Sequence, residues 1–138
     1  MDFRQKEKGL ITASTGNHAQ AIAFAGRLFN VPVTVVMPEK ANPTKVKAVK
    51  GWGAKIIFFG RIFDESRDYA EKLAGEKGAR FIHPANEPDL IAGVGTYALE
   101  LFEDVPSLDT IIVPVGGGSG ASGCCRSTAS KWNCTLWD

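Results

Sequence analysis

Short apolar runs alternate with amphipathic segments along most of this sequence, and this alternation limits the fold more than any other feature. Five runs are rich in β-branched, aromatic or other apolar residues and end in turn-forming residues: 10–13, 33–37, 55–59, 80–83 and 110–115. Because these runs are nearly continuous in hydrophobicity, they are typical of strands covered on both faces. The pattern predicts a parallel sheet with a helix between successive strands.

The segments between the runs carry helix signals. Four helices are predicted, at 17–29, at 43–51, from about 64 to 78, and from about 88 onward. Asn42 and Pro43 have the residue types of an N-cap and a first helical position. Gly93 and Gly95 are expected to weaken the first turns of the last helix.

We therefore predict an α/β fold with a single doubly wound, mostly parallel sheet of five strands, flanking helices and strand order 2-1-3-4-5. In such a sheet the loop after the first strand lies at the switch point, where ligands bind. A chain of 138 residues that is 44% hydrophobic and 22% charged is ordinary for one compact domain. Its net charge of only +1 argues against nucleic acid as a partner.

The loop after the first predicted strand is a candidate anion site. Ser14, Thr15, Gly16 and Asn17 lead into the first long helix, whose N-terminus offers backbone N–H groups and the positive end of the helix dipole. A carboxylate would suit this position. The residues alone leave an alternative open, in which Ser14, Thr15 and Asn17 only cap the helix. His18 is expected to pack in the first turn rather than to act as a base.

A glycine-rich loop follows the last apolar run. Gly116, Gly117, Gly118, Ser119 and Gly120 can adopt conformations that aim several N–H groups at one point, which favours a phosphate site. The alternative is a flexible Gly/Ser turn, which is less expected because four of the five residues are glycine beside an apolar run.

Residues 118–123 also match the dinucleotide fingerprint G-x-G-x-x-G. That fingerprint requires a following amphipathic helix and an acidic residue about 20 positions later. We predict neither here, so the match is a weak indication of nucleotide binding.

The three cysteines, Cys124, Cys125 and Cys134, are odd in number, and no disulfide framework accounts for them. Free thiols are expected, and no metal site, because no further ligands lie at suitable spacing. The charged N-terminus and the lack of long apolar runs predict a cytoplasmic protein without a membrane partner.

Several motifs occur in order between Lys8 and Gly123, at 9–20, 36–38, 43–46, 53–54, 83–84, 91–96, 99–100 and 113–120. This series resembles the fold-type II pyridoxal-phosphate enzymes and, within them, the serine/threonine dehydratases (threonine deaminases, or threonine ammonia-lyases). In the family, the loop matching residues 14–17 receives the substrate α-carboxylate, and the asparagine matching Asn17 bonds the 3′ oxygen of the cofactor ring. The loop matching residues 116–120 cradles the cofactor phosphate.

The implied reaction of the parent family is the pyridoxal-phosphate-dependent β-elimination and deamination of L-serine or L-threonine to a 2-oxo acid and ammonia. The cofactor acts as the electron sink. The family's Schiff-base lysine belongs to a Ser-Phe-Lys segment upstream of the 14–18 loop, which places it before Met1. Neither Lys6 nor Lys8 has that motif around it. No catalytic residue is therefore predicted on this chain.

After Gly123 the family pattern stops, so we predict a dehydratase-like domain over 1–123 and a non-family tail over 124–138, with truncation at both ends. The expected function is a truncated dehydratase-like protein that is inactive alone and does not retain pyridoxal phosphate. Two alternatives stay open, a binding module or subunit with a residual amino-acid or phosphate site, and a small flavodoxin-like nucleotide-binding domain. Apolar surface left uncovered on the helices predicts a homo-oligomer.

Overall fold

The structure is a computed structural model that describes the backbone of residues 3–127 and the side chains of residues 6–127. The chain divides into two compact units between Pro84 and Ala85. The first unit contains α1 (Phe3–Lys8), β1 (Leu10–Ala13), α2 (Asn17–Phe29), β2 (Val33–Met37), α3 (Pro43–Gly51), β3 (Lys55–Phe58), α4 (Phe63–Lys77) and β4 (Arg80–Phe81). The second unit contains α5 (Pro88–Asp104) and α6 (Ser119–Ser127).

The predicted fold class is confirmed, because the first unit is a parallel sheet with helices on both faces. The four predicted helices begin within one residue of their expected positions. Asn42 caps α3 as predicted, since its Oδ1 accepts a hydrogen bond from the Thr44 amide at 2.9 Å. Gly78 forms the C-cap of helix α4, and its φ of 60° is the left-handed conformation that glycine favours.

The predicted strand order is wrong. The order is β3-β2-β1-β4, so β1 pairs with β2 on one side and with β4 on the other. Helices α2 and α3 cover the same face of the sheet. Because both crossovers are right-handed and lie on one face, the chain moves outward in one direction, from β1 to β2 to β3. Helix α4 covers the opposite face, and its crossover returns the chain to the far side of β1. The loop after β1 still lies at the switch point, as expected.

The core has two layers that meet at β2. Val33, Val35 and Met37 of this strand pack with α2 and α3, whereas Val36 packs with α4. Successive side chains of a strand point to opposite faces, so a strand covered on both sides has to be apolar at nearly every position. This explains the continuous hydrophobic run from which the strand was predicted.

A fifth strand was predicted at 110–115, but among the described residues the sheet has four strands, and this segment is not one of them. Ile112 is 93% exposed and Val115 is 63% exposed. β-Branched residues favour a strand only where a neighbouring strand supplies hydrogen bonds and a packed face. No such pairing is present for this segment within residues 3–127.

The second unit is built on a close crossing of α5 and α6. A Cβ on Gly123 would lie 2.8 Å from the Gly95 amide nitrogen and 2.8 Å from the Ile91 carbonyl oxygen. The Ser127 hydroxyl lies 2.9 Å from the carbonyl oxygens of both Gly95 and Gly123. Gly95 was expected to weaken α5, and the structure instead gives it a packing role. Helix α6 was not predicted, and residues 124–127 of the predicted tail form its end, whereas 128–138 lie outside the described residues.

We predict that Gly123→Ala lowers the free energy of unfolding. The added methyl group would meet backbone atoms of α5, which cannot rotate away, so overpacking of about 1–3 kcal/mol is expected. Urea unfolding followed by circular dichroism measures the difference.

Gly93→Ala is the matched control on α5, because no atom lies within 4 Å of the added Cβ. It should raise stability by about 0.5–1 kcal/mol, since alanine loses less backbone entropy than glycine in a helix. Equal stability of the two variants would contradict the close crossing.

Candidate functional site

The loop at 14–17 connects the carboxyl end of β1 to the first turn of α2. The Ser14 amide donates to the Val36 carbonyl oxygen at 3.2 Å, which continues the pairing of β1 with β2 beyond the strand. The Ser14 hydroxyl then accepts a hydrogen bond from the Gly16 amide at 3.1 Å. These two bonds fix the backbone of the loop before the helix begins.

The N-terminus of α2 is not capped by a side chain. The N-cap residue is Gly16, and no side-chain hydrogen bond caps the helix. The alternative in which Ser14, Thr15 and Asn17 serve only as helix caps is therefore not what the structure has. The first-turn amides have no acceptor within the helix, and the first turn contains no acidic residue, so the positive end of the dipole faces the loop.

Exposure of the loop side chains falls toward the sheet. Ser14 is buried, Thr15 and Gly16 are half-buried, and Asn17 is exposed. The backbone amides thus lie between a buried hydroxyl and an accessible carboxamide. This arrangement suits a small carboxylate that enters from the exposed side.

His18 packs in the first turn, as expected. It is half-buried, and its Nε2 lies 3.0 Å from the hydroxyl oxygen of Thr12, a fully buried residue of β1. The Thr12 hydroxyl also donates to the Ile82 carbonyl oxygen at 2.8 Å. Sequence reasoning missed Thr12, although it is the polar residue in the otherwise apolar run Leu-Ile-Thr-Ala.

The glycine loop at 116–120 lies in the second unit and leads into α6. Gly118 has a φ of +85°, a conformation that strongly favours glycine. A Cβ on Gly117 would lie 2.7 Å from the Cβ of Ala85. Glycine is therefore required at these two positions for the path of the backbone.

Helix α6 begins inside this loop, at Ser119. The Ser122 amide donates to the Gly118 carbonyl oxygen at 2.9 Å, which is the first hydrogen bond of the helix. The amides of residues 119–121 precede that bond and have no acceptor within the helix. A helix N-terminus that follows a glycine turn is a common phosphate site, so the donor set fits the phosphate group of a cofactor.

Tyr97 of α5 supports the glycine loop from the side. Its hydroxyl donates to the Gly120 carbonyl oxygen at 3.2 Å. Burial raises the pKa of Tyr97 above its ordinary value, and the charge and hydrogen bonding of neighbouring Cys124 raise it further. A tyrosine is already protonated at neutral pH, and the raised pKa of Tyr97 keeps its hydroxyl a donor.

The three glycines of the dinucleotide fingerprint lie directly before α6 and within it. Gly120 and Gly123 lie within α6, and Gly123 packs against the backbone of α5. Gly123 is buried by that packing, and close helix packing is also the role of the third glycine in the fingerprint. The fingerprint must also follow a strand directly, and among the described residues the segment 110–115 before this loop is not a strand, so the geometry departs from the fingerprint there.

Three further features concern the described part of the chain, residues 3–127. No group of three or more His, Cys, Asp or Glu side chains within it could hold a metal ion. None of its helices is both long and apolar enough to cross a membrane. Cys124 is buried, and Cys134 lies outside the described residues.

Comparison with known proteins bears on both loops. A catabolic L-threonine dehydratase (TdcB) from Staphylococcus aureus strain USA300 is 48% identical over 119 residues, covering 86% of this chain and 34% of that protein. The processed form of threonine deaminase isoform 2 from Solanum lycopersicum has a TM-score of 0.85 at 34% identity, covering 92% of this chain and 37% of that one. Maize serine racemase has a TM-score of 0.85 at 41% identity, covering 92% and 39%.

This chain spans about a third of the length of the curated relatives it matches. The family model for pyridoxal-phosphate dependent enzymes matches residues 2–136, and that range includes most of the segment predicted as a non-family tail. The resemblance inferred from the motifs is confirmed, and the chain belongs to the family of pyridoxal-phosphate dependent enzymes, with threonine dehydratases among its relatives.

Proposed function

We propose that this chain supplies the substrate-carboxylate loop and the cofactor-phosphate loop of a serine/threonine dehydratase-type enzyme. The parent reaction is the β-elimination and deamination of L-threonine or L-serine. The observation that carries the proposal is the uncapped N-terminus of α2 at the switch point of the sheet, in a chain that is 48% identical to an L-threonine dehydratase. When bound, pyridoxal phosphate supplies the electron sink for the carbanion.

The carboxylate is held by the loop at 14–17. First-turn amides of α2 donate to its oxygens, and the helix dipole favours its negative charge. The Ser14 hydroxyl accepts from the Gly16 amide and so has its own proton to donate. Because Ser14 is buried, this contact is shielded from water and gains strength.

Asn17 binds the cofactor ring through its side chain. It is the most accessible residue of the loop and the first residue of α2, so its carboxamide can donate to a ring oxygen beside the bound carboxylate. The backbone around it is fixed by the bond between the Gly16 amide and Ser14. Asn17 therefore orients the ring and leaves proton transfer to other groups.

The phosphate is held by the glycine loop. Gly116, Gly117 and Gly118 allow a close approach of the backbone, and the amides of Ser119 and Gly120 precede the first hydrogen bond of α6. Residues 118–120 are partly covered, and this limits competition from water. The site contributes binding and orientation.

The lysines nearest in sequence to the carboxylate loop lie at the wrong end of the sheet. Lys8 ends α1 just before β1, and its Nζ would lie 2.9 Å from a Cβ on Gly78, at the C-terminus of α4. A four-residue strand spans about 13 Å, so β1 separates Lys8 from Ser14. We propose that the 138 residues by themselves bind the anions without turnover, because neither Lys6 nor Lys8 reaches the site.

We predict that the purified 138-residue chain, incubated with pyridoxal phosphate and L-threonine, releases no 2-oxobutyrate. Borohydride reduction followed by peptide mass spectrometry should find no cofactor fixed at a defined lysine. An intact threonine dehydratase assayed in parallel provides the control. Steady turnover by the 138-residue chain would refute this part of the proposal.

We predict that Gly16→Asp stabilises the fold and weakens binding of L-threonine. Nothing lies within 4 Å of a Cβ at this position, so the carboxylate can cap α2 and occupy the place of the ligand. The free energy of unfolding should rise by about 0.5–1 kcal/mol.

Gly16→Asn is the neutral control, and it should stabilise less than Asp because it lacks the charge that interacts with the dipole. Thermal unfolding and calorimetric titration with L-threonine measure both effects. Unchanged L-threonine affinity in the Gly16→Asp variant would place the carboxylate elsewhere.

We also propose that this chain self-associates through apolar surface. Leu28 and Phe29 at the end of α2 are each 64% exposed, and Phe24 of the same helix is 47% exposed. Exposed apolar residues that are grouped on one element favour association. Light scattering should give a mass above 14.8 kDa, reduced in Leu28→Glu, and a monodisperse monomer at high concentration would contradict the proposal.

A further inference from the structure

Thr12 occupies a position in β1 where an apolar residue would be expected. Ile11 and Ala13 on either side of it pack against α4, so Thr12 points to the opposite face, toward α2. Its side chain is fully buried. A buried hydroxyl without partners would cost about 1–3 kcal/mol, and its partners therefore decide whether it can be accommodated.

Both partners of this hydroxyl are within hydrogen-bond distance. The Ile82 carbonyl oxygen lies at 2.8 Å, in the segment after β4, and His18 Nε2 lies at 3.0 Å, in the first turn of α2. A hydroxyl has one proton, and a carbonyl oxygen can only accept. The Thr12 proton is therefore committed to Ile82, and the hydroxyl oxygen can only accept from His18.

The assignment of the Thr12 proton specifies which nitrogen of the His18 ring is protonated. If the Thr12 oxygen accepts, then Nε2 of His18 carries a proton. A neutral ring protonated on the other nitrogen would bring two lone pairs together at 3.0 Å. The contact thus selects one of the two neutral tautomers of His18.

We propose that Thr12 is a positioning residue that holds His18 in its Nε2-protonated form and thereby fixes the first turn of α2. The proposed tautomer of His18 applies to the chain without ligand. The consequence for carboxylate binding rests on the proposed function.

The contacts of Thr12 with His18 and Ile82 connect β1, α2 and the segment after β4 at the carboxyl edge of the sheet. His18 follows Asn17 directly, so a fixed imidazole ring fixes the backbone whose amides receive the carboxylate. The bond from the Gly16 amide to Ser14 holds the same turn from its other side. Preorganised donors bind an anion more tightly because less order has to be created on binding.

The direct test is the tautomer of His18 in the unliganded chain. Long-range proton–nitrogen NMR correlations on isotopically labelled protein report which ring nitrogen carries the proton. The sequence has only two histidines, and His83→Gln assigns the signals. We expect an Nε2-protonated His18, and protonation on Nδ1 alone would overturn the proposal.

Two variants test the role of the hydroxyl. Thr12→Val keeps the shape of the side chain and removes the hydroxyl, so His18 should lose its fixed tautomer and L-threonine affinity should fall about fivefold. Thr12→Ser keeps the hydroxyl and should restore both. A His18 spectrum unchanged in Thr12→Val would overturn the proposal, and if that variant does not fold, the tautomer of the unaltered chain still decides.

The His18 tautomer and the binding of L-threonine together distinguish failure of the proposed carboxylate site from failure of the proposed role of Thr12. An unaltered chain that does not bind L-threonine, with His18 in the expected tautomer, would reject the proposed carboxylate site and leave the Thr12 contact supported. Binding of L-threonine with the opposite tautomer would reject the role of Thr12 and leave the site supported.

Discussion

The structure depends on the placement of β1 between β2 and β4. At that position the chain leaves the sheet where the strand order reverses, and it enters α2 without a side-chain hydrogen bond that caps the helix. The backbone bond from Ser14 to Val36 and the side-chain bond from Thr12 to Ile82 connect the end of β1 to both sides of the switch point. The positive end of α2 is thereby held in a fixed orientation, which supports the proposal that it binds an anion.

In the second unit, backbone packing orients the N-terminus of α6. Gly95 and Gly123 bring α5 and α6 into direct contact, and this contact holds the start of α6 at the end of the glycine loop. The Tyr97 hydroxyl adds a hydrogen bond to Gly120. In both units, amides at a helix N-terminus are oriented by a neighbouring element, and the side chains contribute mainly support.

Much of this could be predicted from the sequence, because periodicity and turn chemistry are local. The run at 33–37 and the helix at 17–29 have the bounds that hydrophobic spacing indicates. The strand order could not be predicted, since it depends on which face of the sheet α3 covers. Val49, the buried residue of α3, is apolar and would suit either face. The segment at 110–115 has strand composition without a strand beside it, and strand propensity does not reveal that.

Some residues of the candidate site could likewise be predicted from the sequence, and others could not. Ser14 to Asn17 and the glycine loop could be found because their residue types restrict the backbone. Thr12 could not be found, because its importance comes from contacts across 70 positions of sequence with Ile82. Helix α6 was missed for a related reason, since Gly and Ser are weak helix formers and its packing uses backbone contact.

The most direct measurement of the central claim is a titration of the isotopically labelled chain with L-threonine, followed through the backbone amide signals. The account predicts that the largest shifts fall on residues 15–19, the last residues of the loop and the first turn of α2. Shifts confined to other parts of the chain, or none at saturating L-threonine, would contradict the assignment of this turn as the carboxylate site.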